Sequence, residues 1–537
     1  MGIFLNTAVP YEAYKRITST RFFVDKTRLL CELLEGIKAD GQRYVCVTRP
    51  RRFGKTVMAV MIASFLEKSV ESGDIFDKLA VSKKHLCREY QNKYDVFYMD
   101  LSRVPENCSS YEQYILRVLN GMKEDLSGEF SDLKLDTGKA VWDILAEIFR
   151  RTGKKFVFVL DEWDAVFHMP FVTVAEQVKY LDFLKNLLKD QEYVELAYMT
   201  GILPIAKYSD GSELNMFDEY DMAVKEKYGQ YFGFSEEEVD TLFDTYLRTT
   251  EHPRITRNAL RNWYDGYHTA SGSSLYNPRS VVCALRDNQL ANYWTSSGAY
   301  DSIFHYIQGN IEEVREDLVL MVSGERVEAK MMEYAATAKE LNTKDQIYSA
   351  MVVYGLLTYE DGQVFIPNKE LMDKFHELFM SNERLGYVYH LAKESAKMLK
   401  ATLSGDTKTM AEILKFVHDT ESPILSYNHE IELAAIVNLV YLAARDKYRV
   451  EREDKAGEGY VDFVFYPERR EADALILELK IDGSPDEAIR QIKDKNYALC
   501  LKGKLGETPK YTGRILAVGI SYDRKTKEHF CKVEQIK

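Results

Sequence analysis

One short stretch of the chain has the residue types and spacing that bind phosphate, and it reads Arg49-Pro50-Arg51-Arg52-Phe53-Gly54-Lys55-Thr56. Backbone N–H groups of such a loop, with the N-terminus of a helix behind them, cradle phosphate oxygens. Lys55 would reach the terminal phosphates, and the hydroxyl of Thr56 would hold Mg²⁺. Arg49 stands where the general pattern has its first glycine, so the loop departs from that pattern at one position.

Two carboxylates, Asp161 and Glu162, directly follow an apolar run from Phe156 to Leu160. An apolar run without alternation is typical of a strand buried on both faces of a parallel sheet. The carboxyl end of such a strand is where ligands bind in α/β sheets. We therefore predict that Asp161 holds Mg²⁺ and that Glu162 polarises the attacking water. The alternative is a buried strand that ends in a solvated acidic turn.

A second group of chemically active residues lies near the C-terminus, on two predicted strands that contain Asp462 and the pair Glu478 and Lys480. Side chains alternate along a strand, so Glu478 and Lys480 point to the same face. Burial of a charged pair at the end of an otherwise apolar face costs free energy, so such a pair indicates a function. The set fits metal-dependent phosphodiester hydrolysis, with Asp462 and Glu478 as ligands of one or two Mg²⁺ ions. Lys480 would position the water or help to deprotonate it.

Three further residues belong to this group. Glu430, from the preceding helix, would complete the metal shell, and Gln491 and Tyr497, on the helix after Lys480, would edge the cleft. The alternative is an exposed strand on which Glu478 and Lys480 form an ordinary ion pair. The ordered set of Glu, Gly-x-Gly-x-x-Asp, Glu-x-Lys and a glutamine-bearing helix is more specific than Glu-x-Lys alone.

The elements that must position the first group are strands separated by helices. A strand precedes the loop at 44–47, a second is predicted at 95–101, and a fourth at 194–200 follows the Asp161 strand. This alternation predicts an α/β domain with a mainly parallel sheet. Some P-loop ATPases have a glutamate directly after the carboxylate that corresponds to Asp161. In these proteins the fourth strand lies between the strand that precedes the loop and the Asp161 strand. Thr200 at its end would then be a γ-phosphate sensor, or else an ordinary strand cap.

Composition limits the classes of protein to consider. The chain has 537 residues, 46% hydrophobic and 29% charged, with a formal net charge of −13. It therefore reads as a globular protein of two to four domains, in which any contact with nucleic acid must use local basic patches. Seven scattered cysteines without a Cys-x-x-Cys pair favour a reducing compartment and argue against structural zinc. The N-terminus lacks the pattern of a signal peptide and no apolar stretch is long enough to span a membrane, so we expect a cytoplasmic protein without a membrane partner.

The middle of the chain is predicted to be helical. Ser235 to Glu238 form a capping box at the start of a helix. Further on, a helix at 345–354, a hairpin at 356–366 that turns at Asp361-Gly362, and another helix predict a winged-helix-like region. We favour a packing lid over a DNA reader, because acidic residues occupy the tip where phosphate contacts would need cations.

The predicted domain organisation has four parts. They are a P-loop α/β domain at 1–230, a helical, winged-helix-like lid at 231–385, a helical connector at 386–427, and an α/β domain at 428–537.

Both ends of the chain resemble one family, the prokaryotic AAA-ATPase-like proteins that carry a C-terminal PD-(D/E)XK nuclease-superfamily domain. The N-terminal resemblance rests on the loop at 49–56 with Arg49 included, on Phe23-Val24-Asp25-Lys26-Thr27, on Leu160-Asp161-Glu162 and on Thr200-Gly201-Ile202. It extends through Phe232 to Val239, Tyr264-Asp265-Gly266-Tyr267 and Tyr276-Asn277-Pro278. The C-terminal resemblance covers 430–525. Tyr460 departs from it, since members of the family often have an arginine beside the Asp462 position.

The resemblance implies an ASCE-type P-loop NTPase coupled to a nuclease, with ATP and Mg²⁺ as cofactors, as in defence or mobile-element systems. It implies a nucleic-acid partner, DNA rather than RNA, and leaves a homo-oligomer open. Two other readings stay open at this point. One is a non-catalytic nucleotide switch whose C-terminal domain only binds nucleic acid or a partner, and the other is an interaction protein whose two sites are relics.

Overall fold

The computed structural model describes residues 2–205, 213–294, 311–331, 343–381, 383–385, 387–419, 430–456, 459–467, 469, 471–497 and 513–536. Two compact units make up the chain, and each consists of two pieces. The N-terminal unit contains residues 1–298 and 328–370, and the C-terminal unit contains 299–327 and 371–537. The predicted division into four domains at 230, 385 and 427 stays a prediction.

A parallel five-stranded sheet forms the centre of the N-terminal unit. Its strands are β1 (Tyr44–Thr48), β2 (Asp95–Asp100), β3 (Phe156–Asp161), β4 (Val194–Gly201) and β5 (Asp218–Tyr220), in the order β2-β3-β4-β1-β5. Each neighbouring pair is parallel. The four strands predicted from sequence and the place of β4 between β1 and β3 are confirmed. The short, polar edge strand β5 was not predicted, because it lacks an apolar run.

Helices cover both faces of this sheet, which explains why the central strand β3 is a continuous apolar run. Along β3, Phe156, Phe158 and Leu160 pack into one hydrophobic cluster, whereas Val157 and Val159 pack into another. The helices of the unit before residue 300 are Val9–Thr18, Arg28–Asp40, Lys55–Leu66, Gly73–Phe76, His85–Tyr90, Tyr111–Glu129, Val141–Thr152, Val174–Leu188, Glu236–Thr249, Arg257–Tyr264 and Pro278–Asp287. A two-stranded hairpin, β6 (Tyr267–His268) and β7 (Ser274–Leu275), lies between the last two.

Local predictions for the middle of the chain are confirmed. The side chain of Ser235 accepts a hydrogen bond from the N–H of Glu238, and the Glu238 side chain accepts one from the N–H of Ser235, which is the capping box. After the strand β8 (Val327–Glu328) come the helix Lys344–Tyr354, the antiparallel strands β9 (Thr358–Glu360) and β10 (Gln363–Phe365), and the helix Lys369–Ser381. Asp361 and Gly362 turn the hairpin with φ of 48° and 83°, values that a type I′ turn requires.

The C-terminal unit has a mixed five-stranded sheet. Its strands lie side by side in chain order: β11 (Tyr448–Ala456), β12 (Gly459–Pro467), β13 (Ala474–Ile481), β14 (Ile515–Asp523) and β15 (Glu528–Gln535). Only β13 and β14 are parallel among these neighbours. The helices are Ile311–Val322, Tyr387–Ser404, Thr407–Asp419, Glu430–Val440 and Pro485–Asp494. The two predicted strands that contain Asp462 and Glu478 are confirmed as β12 and β13, and the helices Tyr387–Ser404 and Thr407–Asp419 lie within the predicted connector. In the Gly-x-Gly-x-x-Asp pattern, Gly457 and Glu458 lie outside the described residues.

The first piece of the C-terminal unit is tied to the second by polar contacts. The side-chain amide of Asn438 donates to the carbonyl oxygen of Val322 at 2.9 Å, and Arg452 pairs with Glu325 at 2.8 Å. Asn438 is buried, so its amide needs such a partner. The described part of this first piece, residues 311–327, therefore packs within this unit.

Two further observations bear on the compositional predictions. Cys31 and Cys87, which are both buried, form a disulfide with Cα atoms 5.7 Å apart. The spacing of the cysteines in the sequence gave no sign of this pair, because 56 residues separate them. None of the described helices has the length and apolar character to cross a membrane.

Candidate functional site

The loop at 49–54 connects β1 to the helix Lys55–Leu66 through two residues with left-handed backbone. Arg52 has φ of 70° and Gly54 has φ of 89°. A Cβ added at Gly54 would meet no atom within 4 Å, so glycine is favoured there by its backbone conformation and not by lack of space. The two left-handed residues bend the chain so that the helix begins at Lys55, with its first N–H groups directed into the loop.

Lys55 and Thr56 occupy the positions that the phosphate-loop prediction requires. The Lys55 ammonium is buried and donates to the carbonyl oxygens of Arg49 and Pro50 at 3.1 and 3.2 Å. Thr56 is exposed, and its side chain is hydrogen-bonded to Asp161. The loop and the end of β3 are therefore joined by a hydroxyl–carboxylate contact of the kind that shares a magnesium ion in phosphate-binding loops.

Asp161 and Glu162 lie side by side at the carboxyl end of β3. Burial, and then the neighbouring charge of Glu162, raise the pKa of Asp161 to about 7. Glu162 has φ of 52°, and its N–H donates to Oδ1 of Asp161 at 3.1 Å. A left-handed glutamate directly after a buried strand is strained, and such strain is concentrated at functional sites.

A cleft of about 710 Å³ opens beside these residues within the N-terminal unit. One part of its lining is apolar, from Ile17, Phe22, Phe23, Val24, Met58, Phe234 and Val282. The loop residues 51–56 and Glu162 form another part. The volume and the mixture of apolar wall and a few charged groups suit a nucleotide-sized ligand.

Several arginines face this cleft together. Arg51 and Arg52 come from the loop, and Arg279 and Arg286 come from the helix Pro278–Asp287. Burial, and then the nearby charges of Arg279 and Arg51, lower the pKa of Arg52. Cations that repel one another in a cleft are stabilised when an anion binds between them.

Arg279 was not predicted from the sequence. It lies in the first turn of its helix, where the helix dipole disfavours a positive charge. It is exposed and has no hydrogen-bond or ion-pair partner in the described part of the chain, whereas Arg286 is paired with Asp287 at 2.7 Å. The signal available in the sequence was an arginine directly after Asn277-Pro278, because proline is common at the first position of a helix and a cation in the first turn is disfavoured by the helix dipole.

Arg49 lies behind the loop and not in the cleft. Its guanidinium is buried, donates to the carbonyl oxygens of Thr48 and Tyr220 at 2.7 and 3.1 Å, and lies 5.1 Å from the ring centre of Phe232. Burial lowers its pKa to about 10. Arg49 and Pro50 line a separate cavity of about 90 Å³. The residue at the first-glycine position thus joins the loop to β5.

The remaining predicted residues of this group have structural contacts. Thr200 is buried, and its hydroxyl donates to the carbonyl oxygen of Val47 at 2.9 Å, which joins β4 to β1. Phe53 packs edge-to-face on Tyr267 with ring centres 4.9 Å apart. Asp164 was not predicted; it is buried, lines the cleft, and accepts the N–H groups of Ile202 and Leu203 at 3.2 and 3.0 Å.

In the C-terminal unit, the structure brings Asp462, Glu478 and Lys480 together. The register that pairs Phe463 with Leu477 places Asp462 opposite Glu478. Oδ2 of Asp462 accepts the N–H of Leu479 at 2.7 Å, and Nζ of Lys480 lies 3.4 Å from Oε1 of Glu478. Glu478 is buried, and its Oε2 has no hydrogen-bond partner among the described residues. Burial, and then the charge of Asp462, raise the pKa of Glu478 to about 7.

Gln491 and Tyr497 hold the other side of Glu478. The amide of Gln491 donates to Oε1 of Glu478 and is 3.4 Å from the hydroxyl of Tyr497, which donates to the carbonyl oxygen of Tyr460 at 2.7 Å. The helix that begins at Glu430 is present, but the Glu430 side chain lies outside the described residues. Within the described residues, no group of three or more His, Cys, Asp or Glu side chains is arranged to hold a metal ion.

The raised pKa of Glu478 predicts how stability depends on pH without divalent metal. A folded-state pKa of about 7 against an ordinary value of 4.5 means that the native state binds the proton more tightly. The resulting stabilisation is complete below pH 4.5 and is lost as the pH rises through 7. Glu478→Gln mimics the neutral form, so it should raise the unfolding temperature at pH 8 but not at pH 4. The expected shift is roughly 2–4 °C for each kcal/mol of burial cost relieved.

Thermal unfolding in chelator at several pH values measures this difference. Glu528→Gln, at an exposed strand end in the same sheet, serves as the control and should follow the wild type at every pH. A Glu478→Gln variant that is less stable than the wild type at pH 8 would contradict the prediction.

Two family models match the chain. Residues 10–209 match the model of a predicted AAA-ATPase, and residues 432–529 match the PD-(D/E)XK nuclease superfamily. The chain thus contains an AAA-ATPase-like domain followed by a C-terminal nuclease-superfamily domain, and the resemblance seen in the motifs is confirmed. No curated protein matches the chain.

Solved structures similar to the chain include a Walker-type ATPase of Pyrococcus abyssi, at 11% identity and a TM-score of 0.35, over 64% of this chain and 94% of that one. The ORC2 protein of Aeropyrum pernix in its ADPNP–ADP complexes has 10% identity and a TM-score of 0.31, over 66% and 94%. The ORC1 protein of Aeropyrum pernix in complex with DNA has 13% identity and a TM-score of 0.27, over 66% and 91%.

Proposed function

We propose that the N-terminal unit binds and hydrolyses ATP with Mg²⁺, and that the C-terminal domain is a Mg²⁺-dependent nuclease that hydrolyses DNA. The observation that supports ATP binding and hydrolysis is that positively charged side chains and a carboxylate line the same cleft. Lys55, Arg52 and Arg279 provide cations, and Glu162 provides a carboxylate close to Thr56 and Asp161. A nucleoside triphosphate with its metal needs both kinds of group.

The residues of the first site fit these roles. Thr56 and Asp161 offer the hard oxygen ligands that Mg²⁺ prefers, and the ion would neutralise charge on the phosphates. The Lys55 ammonium would exchange the carbonyl oxygens of its own loop for phosphate oxygens. Glu162 would orient and polarise the attacking water, and Arg279 would contact the terminal phosphates from the helix across the cleft.

The second site also fits a metal. Glu478 Oε2 is buried without a hydrogen-bond partner among the described residues, and burial together with the charge of Asp462 raises the pKa of Glu478 in spite of the nearby Lys480. Mg²⁺ held by Asp462 and Glu478 would supply a Lewis acid for the scissile phosphate. Lys480 would hold the water and offset the charge that develops on phosphate. Gln491 would keep Glu478 in place through its hydrogen bond.

DNA is the proposed substrate, and defence or mobile-element biology is the proposed setting. A formal net charge of −13 disfavours indiscriminate binding to DNA, which suits a nuclease that acts only when a nucleotide state or a partner recruits it.

One observation favours a second function, a non-catalytic nucleotide switch whose C-terminal domain only binds nucleic acid or a partner. Tyr460 occupies the position beside Asp462 where a cation is common in similar proteins, and its side chain is 67% exposed. A phenol at that position provides no charge for a phosphate.

Incubation with plasmid, linear and single-stranded DNA, with and without ATP and Mg²⁺, tests these functions. We expect DNA cleavage that requires Mg²⁺ and ATP hydrolysis that requires Lys55. ATP hydrolysis with intact DNA in every mixture would favour the switch, and the plasmid-to-linear comparison separates endonuclease from exonuclease cleavage.

A further inference from the structure

The phosphate-binding loop is held from its outer side by residues that are distant in the sequence. The indole N–H of Trp294 donates to the carbonyl oxygen of Arg51 at 3.0 Å. Trp294 is almost fully buried, and a Cβ added at Gly355 would approach both Trp294 and Pro50, at 3.3 and 2.7 Å. The side of the loop that faces away from the cleft is thus fixed by the segment around Trp294.

The same segment is fixed by one buried carboxylate, that of Glu370. Oε1 of Glu370 accepts the backbone N–H groups of Tyr293 and Trp294 at 2.6 and 2.7 Å. Glu370 is 1% exposed, and an acidic side chain buried to this degree requires such donors. These two bonds set the position from which the Trp294 indole reaches Arg51.

Glu370 also holds the helix Pro278–Asp287. The hydroxyl of Ser280 donates to its carboxylate, at 2.8 Å to Oε2 and 3.1 Å to Oε1. Ser280 is the residue next to Arg279, the unpaired arginine that faces the cleft. One carboxylate therefore connects the backbone of the phosphate loop, through Trp294, to the helix that presents Arg279.

We propose that Glu370 is a positioning residue of the nucleotide site, which fixes the spacing between the phosphate loop and Arg279. This rests on the proposed binding of ATP in the cleft. Glu370 does not line the cleft, so its effect must pass through Arg51 and Arg279. Because Arg279 would contact the terminal phosphates, loss of Glu370 should weaken ATP binding more than ADP binding.

The test measures the dissociation constants of ATP and ADP for the full chain and its variants. Glu370→Ala should weaken ATP binding roughly tenfold, the scale of hydrogen bonds to a charged group, and ADP binding by less. Glu370→Gln keeps the shape and one acceptor oxygen, so it should recover part of the loss. In an Arg279→Ala background, either Glu370 variant should add little, because the group that it positions is already absent.

Asp125→Ala is the matched control. The carboxylate of Asp125 is also buried, and it accepts backbone N–H groups of Ile3, Phe4 and Leu5, at 2.8, 2.7 and 3.0 Å. None of these four residues lines the cleft. Asp125→Ala should lower the unfolding temperature without changing the ratio of ATP to ADP affinity.

Four outcomes decide against the proposal. If the losses of ATP affinity caused by the Glu370 and Arg279 variants multiply in full, or if the ratio of ATP to ADP affinity is unchanged in Glu370→Ala, Glu370 does not act through Arg279. Since Glu370→Gln preserves the volume of the side chain, the smaller change that it should cause in this ratio carries the test if Glu370→Ala does not fold. Equal ATP binding by the wild type and Lys55→Ala would overturn nucleotide binding itself, and the role of Glu370 with it. If ATP binding depends on Lys55 but both Glu370 variants bind ATP as tightly as the wild type, only the role of Glu370 is overturned.

Discussion

We expect Lys55→Ala to abolish ATP binding and Glu162→Gln to bind ATP tightly without turnover. The Lys55 ammonium is buried beside the loop carbonyl oxygens of Arg49 and Pro50, where it is ready to meet phosphate. Its removal takes away a charge-assisted contact to phosphate and leaves Arg51 and Arg52 as the remaining cations of the loop. The loss of affinity should exceed the roughly 10–100-fold that a single charged hydrogen bond provides.

Glu162→Gln should separate binding from chemistry. The amide keeps the shape of the side chain but cannot polarise water as a carboxylate does, so turnover should fall about 10²–10⁴-fold, the usual contribution of a general base. Removal of a negative charge next to Asp161 also favours the ionised form of Asp161, which should strengthen binding of the nucleotide with its metal.

Titration with a fluorescent ATP analogue and a phosphate-release assay measure the two effects. Lys139→Ala is the control for lysine removal, since Lys139 pairs with Glu147 on a helix surface. It should bind ATP as the wild type does. Wild-type affinity in Lys55→Ala, or wild-type turnover in Glu162→Gln, would refute the corresponding assignment.

The second large effect is expected in the C-terminal domain. Asp462→Ala, Glu478→Ala and Lys480→Ala should each reduce metal-dependent DNA cleavage by roughly 10³-fold or more, about as much as removal of all three, because residues that act as a unit are not additive. The structure explains why they form a unit. After burial, the charge of Asp462 is the main cause that raises the pKa of Glu478, and Lys480 contacts the same carboxylate at 3.4 Å.

The control for this series is Asp473→Ala. Asp473 directly precedes β13 and is paired with Arg514. It therefore lies at the other end of the strand that carries Glu478, five residues away along the chain. At about 3.3 Å per residue, this separation is roughly 16 Å along the strand. Asp473→Ala should cleave DNA normally. Cleavage by Asp462→Ala at the wild-type rate would place any nuclease activity outside this site.

Sequence reasoning succeeded where a local pattern determines the structure. The continuous apolar run of β3 required burial on both faces, and the structure divides its side chains between two hydrophobic clusters. The alternation in β13 placed Glu478 and Lys480 on one face, and the register of β12 against β13 then brought Asp462 to the same point. These predictions depended on periods of two residues and on neighbouring strands.

Contacts between distant parts of the chain were not predictable in this way. Trp294 meets Arg51 across 243 residues, and Ser280 meets Glu370 across 90. No periodic pattern encodes such pairs, because they depend on how complete elements pack. Arg49 is a further example, since the unpredicted strand β5 provides one of the carbonyl oxygens that hold its guanidinium behind the loop.

The interleaving of the two units along the chain has a consequence for the order in which the protein folds during synthesis. Residues 299–327 belong to the C-terminal unit but leave the ribosome before the last piece of the N-terminal unit, 328–370. Asn438, which donates to the carbonyl oxygen of Val322, is 116 residues further along the chain. At a synthesis rate of roughly 5–20 residues per second, it is added on the order of 6–23 s after Val322. The N-terminal unit is complete at residue 370, before Asp462 and Glu478 have been translated. The growing chain therefore holds a finished nucleotide-binding unit before it contains the acidic pair proposed to cut DNA.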